Sequence, residues 1–114
     1  MSARGEARLW LWQRVTAAFL AFFVLVHLAT IIYAVRGGLS AAEILGRTRG
    51  SVTWGVFYAA FVLAAAVHGG IGLRTIAIEW LRLNRRAAGA LAFSIALALV
   101  ALGLRAVAAV AIGP

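Results

Sequence analysis

The sequence predicts an all-α integral membrane protein whose three transmembrane helices form part of a multi-subunit helix bundle. Of its 114 residues, 65% are hydrophobic, and the mean hydropathy is +1.02. A soluble domain of this size exposes too much surface to be so apolar. Three apolar runs, over residues 15–35, 52–73 and 87–112, are each long enough to cross about 30 Å of hydrocarbon. We therefore expect a single membrane-anchor domain over residues 1–114, without internal repeats.

The segments that flank the three runs are polar and end or connect the helices. Residues 1–10 are expected to form a mobile or partner-bound tail, with no removable signal peptide. Arg36 and two glycines end the first helix, and the following link is expected to contain a short interfacial helical turn over residues 41–46. The second helix is expected to continue as far as Leu81, with the turn to the third helix at residues 84–86.

The charge distribution indicates a membrane surface as the partner of the basic residues. All eleven basic residues are arginines, only three glutamates oppose them, and the net charge is +8. Because the arginines lie at the ends of the apolar runs, topology and anionic lipid explain them better than nucleic acid does. The absence of cysteine from the sequence excludes disulfides and thiolate-held metal centres within this chain.

The arginines also predict the orientation in the membrane. With three spans, the amino terminus and the second link share one face. That face carries Arg4, Arg8, Arg14, Arg74, Arg82, Arg85 and Arg86. The opposite face carries Arg36, Arg47 and Arg49, together with Arg105 if that residue snorkels. The positive-inside rule therefore places the amino terminus in the cytoplasm, for a protein of the inner (cytoplasmic) membrane, or in the matrix of a mitochondrion.

The segment that begins at His68 has the composition of a haem-bearing helix. The imidazole lies within an apolar run, where a polar ring is costly and hence a candidate for function. Gly69, Gly70 and Gly72 remove side-chain bulk beside it and leave space for a flat ligand. Arg74 follows about 9 Å further along the helix, where it could meet an acidic group of that ligand. The alternative is a packed histidine bonded to a carbonyl or hydroxyl group.

The second histidine, His27, is predicted to lie in the opposite half of the membrane. The two rings therefore cannot readily ligate one iron from opposite sides, so two haems are required if both bind. The missing ligands would then come from a partner subunit or a second copy. Alternatively, Thr30 could satisfy the His27 ring. Arg105, at a depth similar to that of His27, could pair with the propionates of an outer haem or snorkel to the interface.

Two segments resemble one family, the cytochrome b-type membrane anchor subunits of succinate dehydrogenase and fumarate reductase. The segment His68-x-x-x-Gly72-Leu73-Arg74, followed by Glu79 and Trp80, resembles the second helix of these anchors. The segment Trp12-Gln13-Arg14-Val15-Thr16-Ala17 is similar to their Arg-x-Ser/Thr-Gly/Ala motif at the start of the first helix. The number of spans and the length also match.

The resemblance implies a cofactor and a substrate. The cofactor is haem b, one or two per assembly and shared with a partner, with His68 as an axial ligand and Arg74 near the propionates. His27 resembles the first-helix histidine of two-haem members. Ubiquinone or menaquinone would bind beside Gln13, Arg14, Glu79 and Trp80. Tryptophan replaces the family's tyrosine at position 80 and lacks its hydroxyl group, so the proton donor would come from a partner.

The resemblance also implies the partners. They are an iron–sulfur subunit and a flavoprotein subunit on the cytoplasmic side, and a second anchor subunit or a second copy in the membrane. The chain would pass electrons between the iron–sulfur subunit and quinone, with no catalytic activity alone.

A different class of function stays open at this point, namely a cofactor-free small membrane protein, holin-like or a transport or assembly subunit. The three glutamates lie outside the predicted spans, which weighs against proton-coupled transport. Two site residues also have simpler explanations. Arg14 could be a topology-setting arginine, and Glu79 a surface acid paired with Arg82 or Arg85.

Overall fold

The computed structural model of the chain describes residues 2–113, which form four helices. They are α1 (Ala3–Arg36), α2 (Ala41–Thr48), α3 (Val52–Glu79) and α4 (Arg85–Ala111). By length and composition, α1, α3 and α4 can each cross a membrane. The molecule measures 49 × 26 × 23 Å. The predicted all-α fold with three spans is confirmed.

Each helix begins at a polar residue whose side chain accepts a hydrogen bond from the first turn. The four N-cap residues are Ser2, Ser40, Ser51 and Asn84. Ser40 and Glu43 form a reciprocal capping box, so α2 extends over 41–48, two residues beyond the predicted turn. These caps satisfy backbone N–H groups that have no partner within the helix.

The prediction of a mobile or partner-bound tail is corrected in its first part, because the structure places this segment in a helix. Helix α1 begins at Ala3, so residues 3–10 continue the spanning helix, while Met1 lies outside the described residues. Ser2 caps this helix start, and two ion pairs hold Glu6, on the first turns of α1, to Arg74 of α3 and Arg85 of α4. Hydropathy does not reveal such a contact.

The turn between α3 and α4 also differs from the prediction. It occupies residues 80–84, with Arg82 in the left-handed region at φ 56°. Helix α3 ends at Glu79, two residues before the predicted end, and Arg85 and Arg86 already belong to α4.

Helix α3 lies at the centre of the packing and contacts both α1 and α4. The buried side chains are mostly small, which allows close approach of the helices. They include Ala66, Ala77, Ala88 and Ala92. At Gly103 the approach to α3 is so close that a Cβ atom would lie 2.5 Å from Val62 Cγ1. The close contact between α3 and α4 at this point therefore depends on the absence of a side chain at Gly103.

The two ends of the bundle differ in their contacts. At one end, the Glu6 ion pairs join the start of α1 to the end of α3 and the start of α4. At the other end, the Thr48 hydroxyl of α2 donates to the carbonyl of Val110, and the Gly50 N–H donates to that of Ala111, both at 2.7 Å. The amino terminus and the second link therefore share one end, as predicted.

Candidate functional site

His68 and Thr16 meet at the contact between α3 and α1. Thr16 is 6% exposed, and its hydroxyl oxygen lies 3.3 Å from His68 Nδ1. The same hydroxyl donates to the backbone carbonyl of Trp12 at 2.7 Å. Because a hydroxyl has one proton, this bond leaves Thr16 Oγ1 as the acceptor and His68 Nδ1–H as the donor.

This arrangement determines which nitrogen of His68 is left with a lone pair. A neutral imidazole carries one N–H, so a proton on Nδ1 leaves Nε2 as an acceptor or metal ligand. Histidines that bind metals commonly donate their other N–H to a nearby oxygen. The ring and its partner therefore fit an axial haem ligand, and they also meet the hydrogen-bonding need of a half-buried histidine.

The three glycines near His68 face different neighbours. A Cβ atom on Gly70 would lie 3.2 Å from Ala96 Cβ, and one on Gly69 would lie 3.8 Å from Leu99 Cδ1, so both face α4. A Cβ atom on Gly72 would lie 3.3 Å from Gln13 Nε2 of α1. Close helix packing thus gives a reason for glycine at positions 70 and 72, whereas a Cβ atom on Gly69 would make an ordinary contact. The role of the three glycines beside a haem stays a prediction.

Arg74 already binds a carboxylate. Its two terminal nitrogens lie 2.9 and 3.4 Å from the two oxygens of Glu6, and its side chain is 11% exposed. Arg85 contacts the same carboxylate. The hydrogen bond from Arg74 lowers the pKa of Glu6 below its ordinary value of 4.5, although partial burial opposes this effect. A haem propionate would offer Arg74 the same kind of group.

A cavity of about 630 Å³ lies between α1 and α3 beside this ion pair. The structure brings together here Glu6, Leu9, Trp10, Gln13, Arg14, Ile71, Gly72, Arg74, Thr75 and Ile76. The Arg14 guanidinium lies 5.4 Å from the centre of the Trp10 ring, a cation–π contact. Gln13 Oε1 is buried and has no hydrogen-bond partner among the described residues.

Glu79 and Trp80 do not line that cavity. Both are exposed at the carboxyl end of α3, and the Trp80 side chain is 79% exposed. The ion pairs found within residues 2–113 do not include Glu79, so the alternative in which it pairs with Arg82 or Arg85 is not what the structure has; Arg85 binds Glu6 instead. The predicted quinone-site residues thus divide into a pair that lines the cavity, Gln13 and Arg14, and a pair that lies outside it, Glu79 and Trp80.

His27 lies at a different depth in the bundle from His68. Its Nδ1 is 3.1 Å from the hydroxyl of Tyr58, and its ring packs edge-on against Phe61. The Thr30 hydroxyl donates to the His27 backbone carbonyl at 2.7 Å and not to the ring. The alternative in which Thr30 satisfies the imidazole is therefore not what the structure has, because Tyr58 is the partner of the ring. Tyr58, Thr30 and Trp54 also line a cavity of about 310 Å³ beside His27.

The two hydroxyl–histidine pairs occupy separate levels. Thr16 and His27 are eleven residues apart on α1, and Tyr58 and His68 are ten apart on α3, so the pairs are about 15 Å apart along the helices. One iron cannot join both rings at that separation. Within residues 2–113, no group of three or more His, Cys, Asp or Glu side chains is arranged to hold a metal ion.

Arg105 is exposed on α4. It does not line the two cavities that include His27, and it takes part in no ion pair among the described residues. Its predicted pairing with the propionates of an outer haem stays untested.

The sequence did not predict the contacts of three side chains. They are Thr16 with His68, Tyr58 with His27, and Glu6 with Arg74. Matching depths would have suggested Thr16 and Tyr58, because each lies on the neighbouring helix at the level of a histidine.

The three spanning helices and their two histidine levels define the chain as a multi-pass helical membrane subunit. Residues 1–104 match the family described as Succinate dehydrogenase/Fumarate reductase transmembrane subunit. The chain belongs to this family, and it is therefore a membrane subunit that assembles with the other subunits of such complexes. The match confirms the resemblance seen in the sequence and decides against a holin-like or transport protein. No curated protein and no solved structure matches the chain.

Proposed function

We propose that this subunit anchors a succinate:quinone oxidoreductase in the membrane, binds haem b, and passes electrons between the iron–sulfur subunit and membrane quinone. The observation that carries the proposal is the Thr16–His68 hydrogen bond of 3.3 Å, which leaves His68 Nε2 as a ligand atom. When bound, haem b supplies a reversible one-electron carrier within the hydrocarbon.

The residues around His68 would hold the haem at the end of the bundle that carries the Glu6 ion pairs. His68 would ligate the iron through Nε2, with Thr16 fixing the orientation of the ring. Arg74 would bind a propionate. A propionate is a carboxylate, and Arg74 already presents two nitrogens to the carboxylate of Glu6. Gly69, Gly70 and Gly72 would border the macrocycle.

His27 would serve a second haem in the same way, with Tyr58 as its hydrogen-bond partner. Arg105 would reach the propionates of that haem. Because the chain has only two histidines, and they lie at separate levels, the other axial ligands would come from a second anchor subunit or a second copy.

The cavity between α1 and α3 would receive the head group of ubiquinone or menaquinone. Gln13 and Arg14 line it and supply polar atoms. Glu79 and Trp80 would border the site from the exposed end of α3, where the iron–sulfur subunit would dock. The flavoprotein subunit would bind to that subunit, further from the membrane.

The protein would span the inner (cytoplasmic) membrane, with its arginine-rich end facing the cytoplasm. That end carries seven arginines, against four at the other end when Arg105 is included, and the positive-inside rule favours that orientation.

Purifying the intact complex through a tag on this chain tests the proposal. We expect flavoprotein and iron–sulfur subunits to copurify, with succinate-dependent reduction of a short-chain quinone and a b-type absorbance. A complex with the partner subunits but without b-type absorbance would overturn the haem assignment. Loss of the absorbance in His68→Ala, with the subunits still assembled, would assign the ligand.

A further inference from the structure

Two arginines share one carboxylate at the end of the bundle where α1 begins. The terminal nitrogens of Arg74 lie 2.9 and 3.4 Å from the two oxygens of Glu6, and Arg85 contacts the same carboxylate. Within residues 2–113, neither arginine forms an ion pair with another acid. Two positive charges therefore face one negative charge, and the charge of this cluster suits a second carboxylate.

The two arginines differ in their surroundings. The Arg74 side chain is 11% exposed, whereas that of Arg85 is 58% exposed. Arg74 also lines a cavity of about 460 Å³ between α1, α3 and α4, and the other described residues that line it, such as Val67 and Phe93, are uncharged. An apolar ligand with a carboxylate can therefore meet Arg74 inside the bundle, where less water screens the attraction between opposite charges.

Glu6 already occupies the two nitrogens of Arg74 that such a ligand would use. A guanidinium holds a carboxylate most firmly through two parallel N–H···O bonds, and both terminal nitrogens of Arg74 donate to Glu6. A propionate that takes these nitrogens must displace Glu6 from them. Because Arg85 also donates to Glu6, the carboxylate can leave Arg74 and keep a partner.

Building on the proposed haem site, we propose that Glu6 is an internal competitor for Arg74, which it holds until a propionate replaces it. Glu6 then stays with Arg85. Haem binding and the Arg74–Glu6 contact therefore oppose each other, and this coupling is reciprocal. Glu6 is thus a positioning residue that acts on haem affinity through Arg74.

The test measures how fast the purified complex transfers haem to an excess of apomyoglobin, at a temperature where the unmodified complex loses it within hours. Glu6→Gln removes the competing carboxylate, so we expect haem loss to be about 2- to 5-fold slower, the range expected for a partly exposed ion pair. Arg85→Gln leaves Glu6 to Arg74 alone, so we expect faster loss by a similar factor. A merely structural ion-pair cluster would give both variants the same sign.

Arg86→Gln is the matched control. It removes the same charge from the residue next to Arg85, and Arg86 forms no ion pair among the described residues, so we expect an unchanged rate. When Arg74 is also replaced by glutamine, Glu6→Gln should change the rate no further, because its effect passes through Arg74.

The outcomes separate this proposal from the proposed function. If the unmodified complex contains no haem, the haem site itself is wrong. If it contains haem and Glu6→Gln loses it at the same rate or faster, only the competition by Glu6 is overturned. Slower or unchanged haem loss in Arg85→Gln also overturns the competition, and this variant decides the matter should Glu6→Gln fail to assemble.

Discussion

His68 Nδ1 lies 3.3 Å from the hydroxyl oxygen of Thr16, and that hydroxyl is itself held 2.7 Å from the Trp12 carbonyl. The carbonyl of Gln13 lies 3.3 Å from the same hydroxyl. The ring on α3 is therefore oriented by the turn of α1 that also lines the proposed quinone cavity. A change in the conformation of this turn would therefore alter the orientation of the imidazole through the Thr16 hydroxyl group.

Thr16→Val should impair haem retention. Valine keeps the shape of threonine but cannot accept the His68 Nδ1–H bond, and losing such a partner behind a metal ligand typically costs about 10- to 100-fold in affinity. Thr16→Ser keeps the hydroxyl and should retain haem. The haem content of the purified complex checks this, and nitrogen NMR of the His68 ring reports its tautomer without haem.

Thr30→Val is the control for Thr16→Val, because the Thr30 hydroxyl also donates to a carbonyl of its own helix but makes no hydrogen bond to a ring nitrogen of the described residues. Equal haem content and the same ring tautomer in Thr16→Val and the unmodified protein would contradict the role of Thr16.

Tyr58→Phe should destabilise the contact between α1 and α3 around His27. It removes the hydroxyl that lies 3.1 Å from His27 Nδ1, and loss of a partly buried hydrogen bond costs about 1 kcal/mol. Chemical unfolding in detergent measures the difference. Tyr33→Phe is the comparison, because the Tyr33 hydroxyl binds the exposed Arg47 and should contribute less. A larger effect at Tyr33 than at Tyr58 would refute the prediction.

Acid should loosen the first turns of α1. Because the folded protein lowers the pKa of Glu6, its ion pairs contribute fully above the unfolded value of 4.5. This contribution is lost as the pH falls from there through the lower folded pKa. Amide hydrogen exchange of residues 3–9, corrected for intrinsic rates, should therefore show less protection in acid than at neutral pH.

Glu6→Gln should show the lower protection of residues 3–9 at neutral pH, because its neutral amide cannot form the ion pairs. Glu43→Gln, which alters the capping box of α2 at the opposite end, should leave residues 3–9 protected. Full protection of residues 3–9 in Glu6→Gln would show that the ion pairs do not hold this segment.

Gly103→Ala should destabilise the α3–α4 contact. A Cβ atom there would lie 2.5 Å from Val62 Cγ1, and overpacking of this kind costs about 1–3 kcal/mol. Gly89→Ala, also on α4, meets nothing within 4 Å and should be neutral or stabilising, since alanine favours a helix over glycine by about 1 kcal/mol. Thermal unfolding in detergent compares the two, and equal stability would contradict the close approach.

The positions of the spans could be predicted because hydropathy is a local property of the chain. The three predicted runs agree with α1, α3 and α4 except at their ends. The start of α1 could not be predicted, because Glu6 is 68 residues from Arg74 and 79 from Arg85 in the sequence. Matching depths could suggest the pairing of Tyr58 with His27, but the contact itself also depends on how the two helices are rotated against each other.

The glycines near His68 show a different limit. A glycine beside a polar residue in an apolar helix predicts open space, but the sequence does not say what fills it. Gly70 faces Ala96 of α4, whereas Gly72 faces Gln13 of α1. The side of the helix to which each glycine points decides whether the missing side chain makes room for a neighbouring helix or for a ligand. That direction is known only from the structure.

The reduced-minus-oxidised absorption spectrum of the purified complex, recorded for the unmodified protein and for His68→Ala, tests the central claim most directly. We expect a b-type signal that His68→Ala removes or reduces, while the partner subunits stay bound. An identical b-type signal in His68→Ala would show that this histidine does not ligate the haem iron.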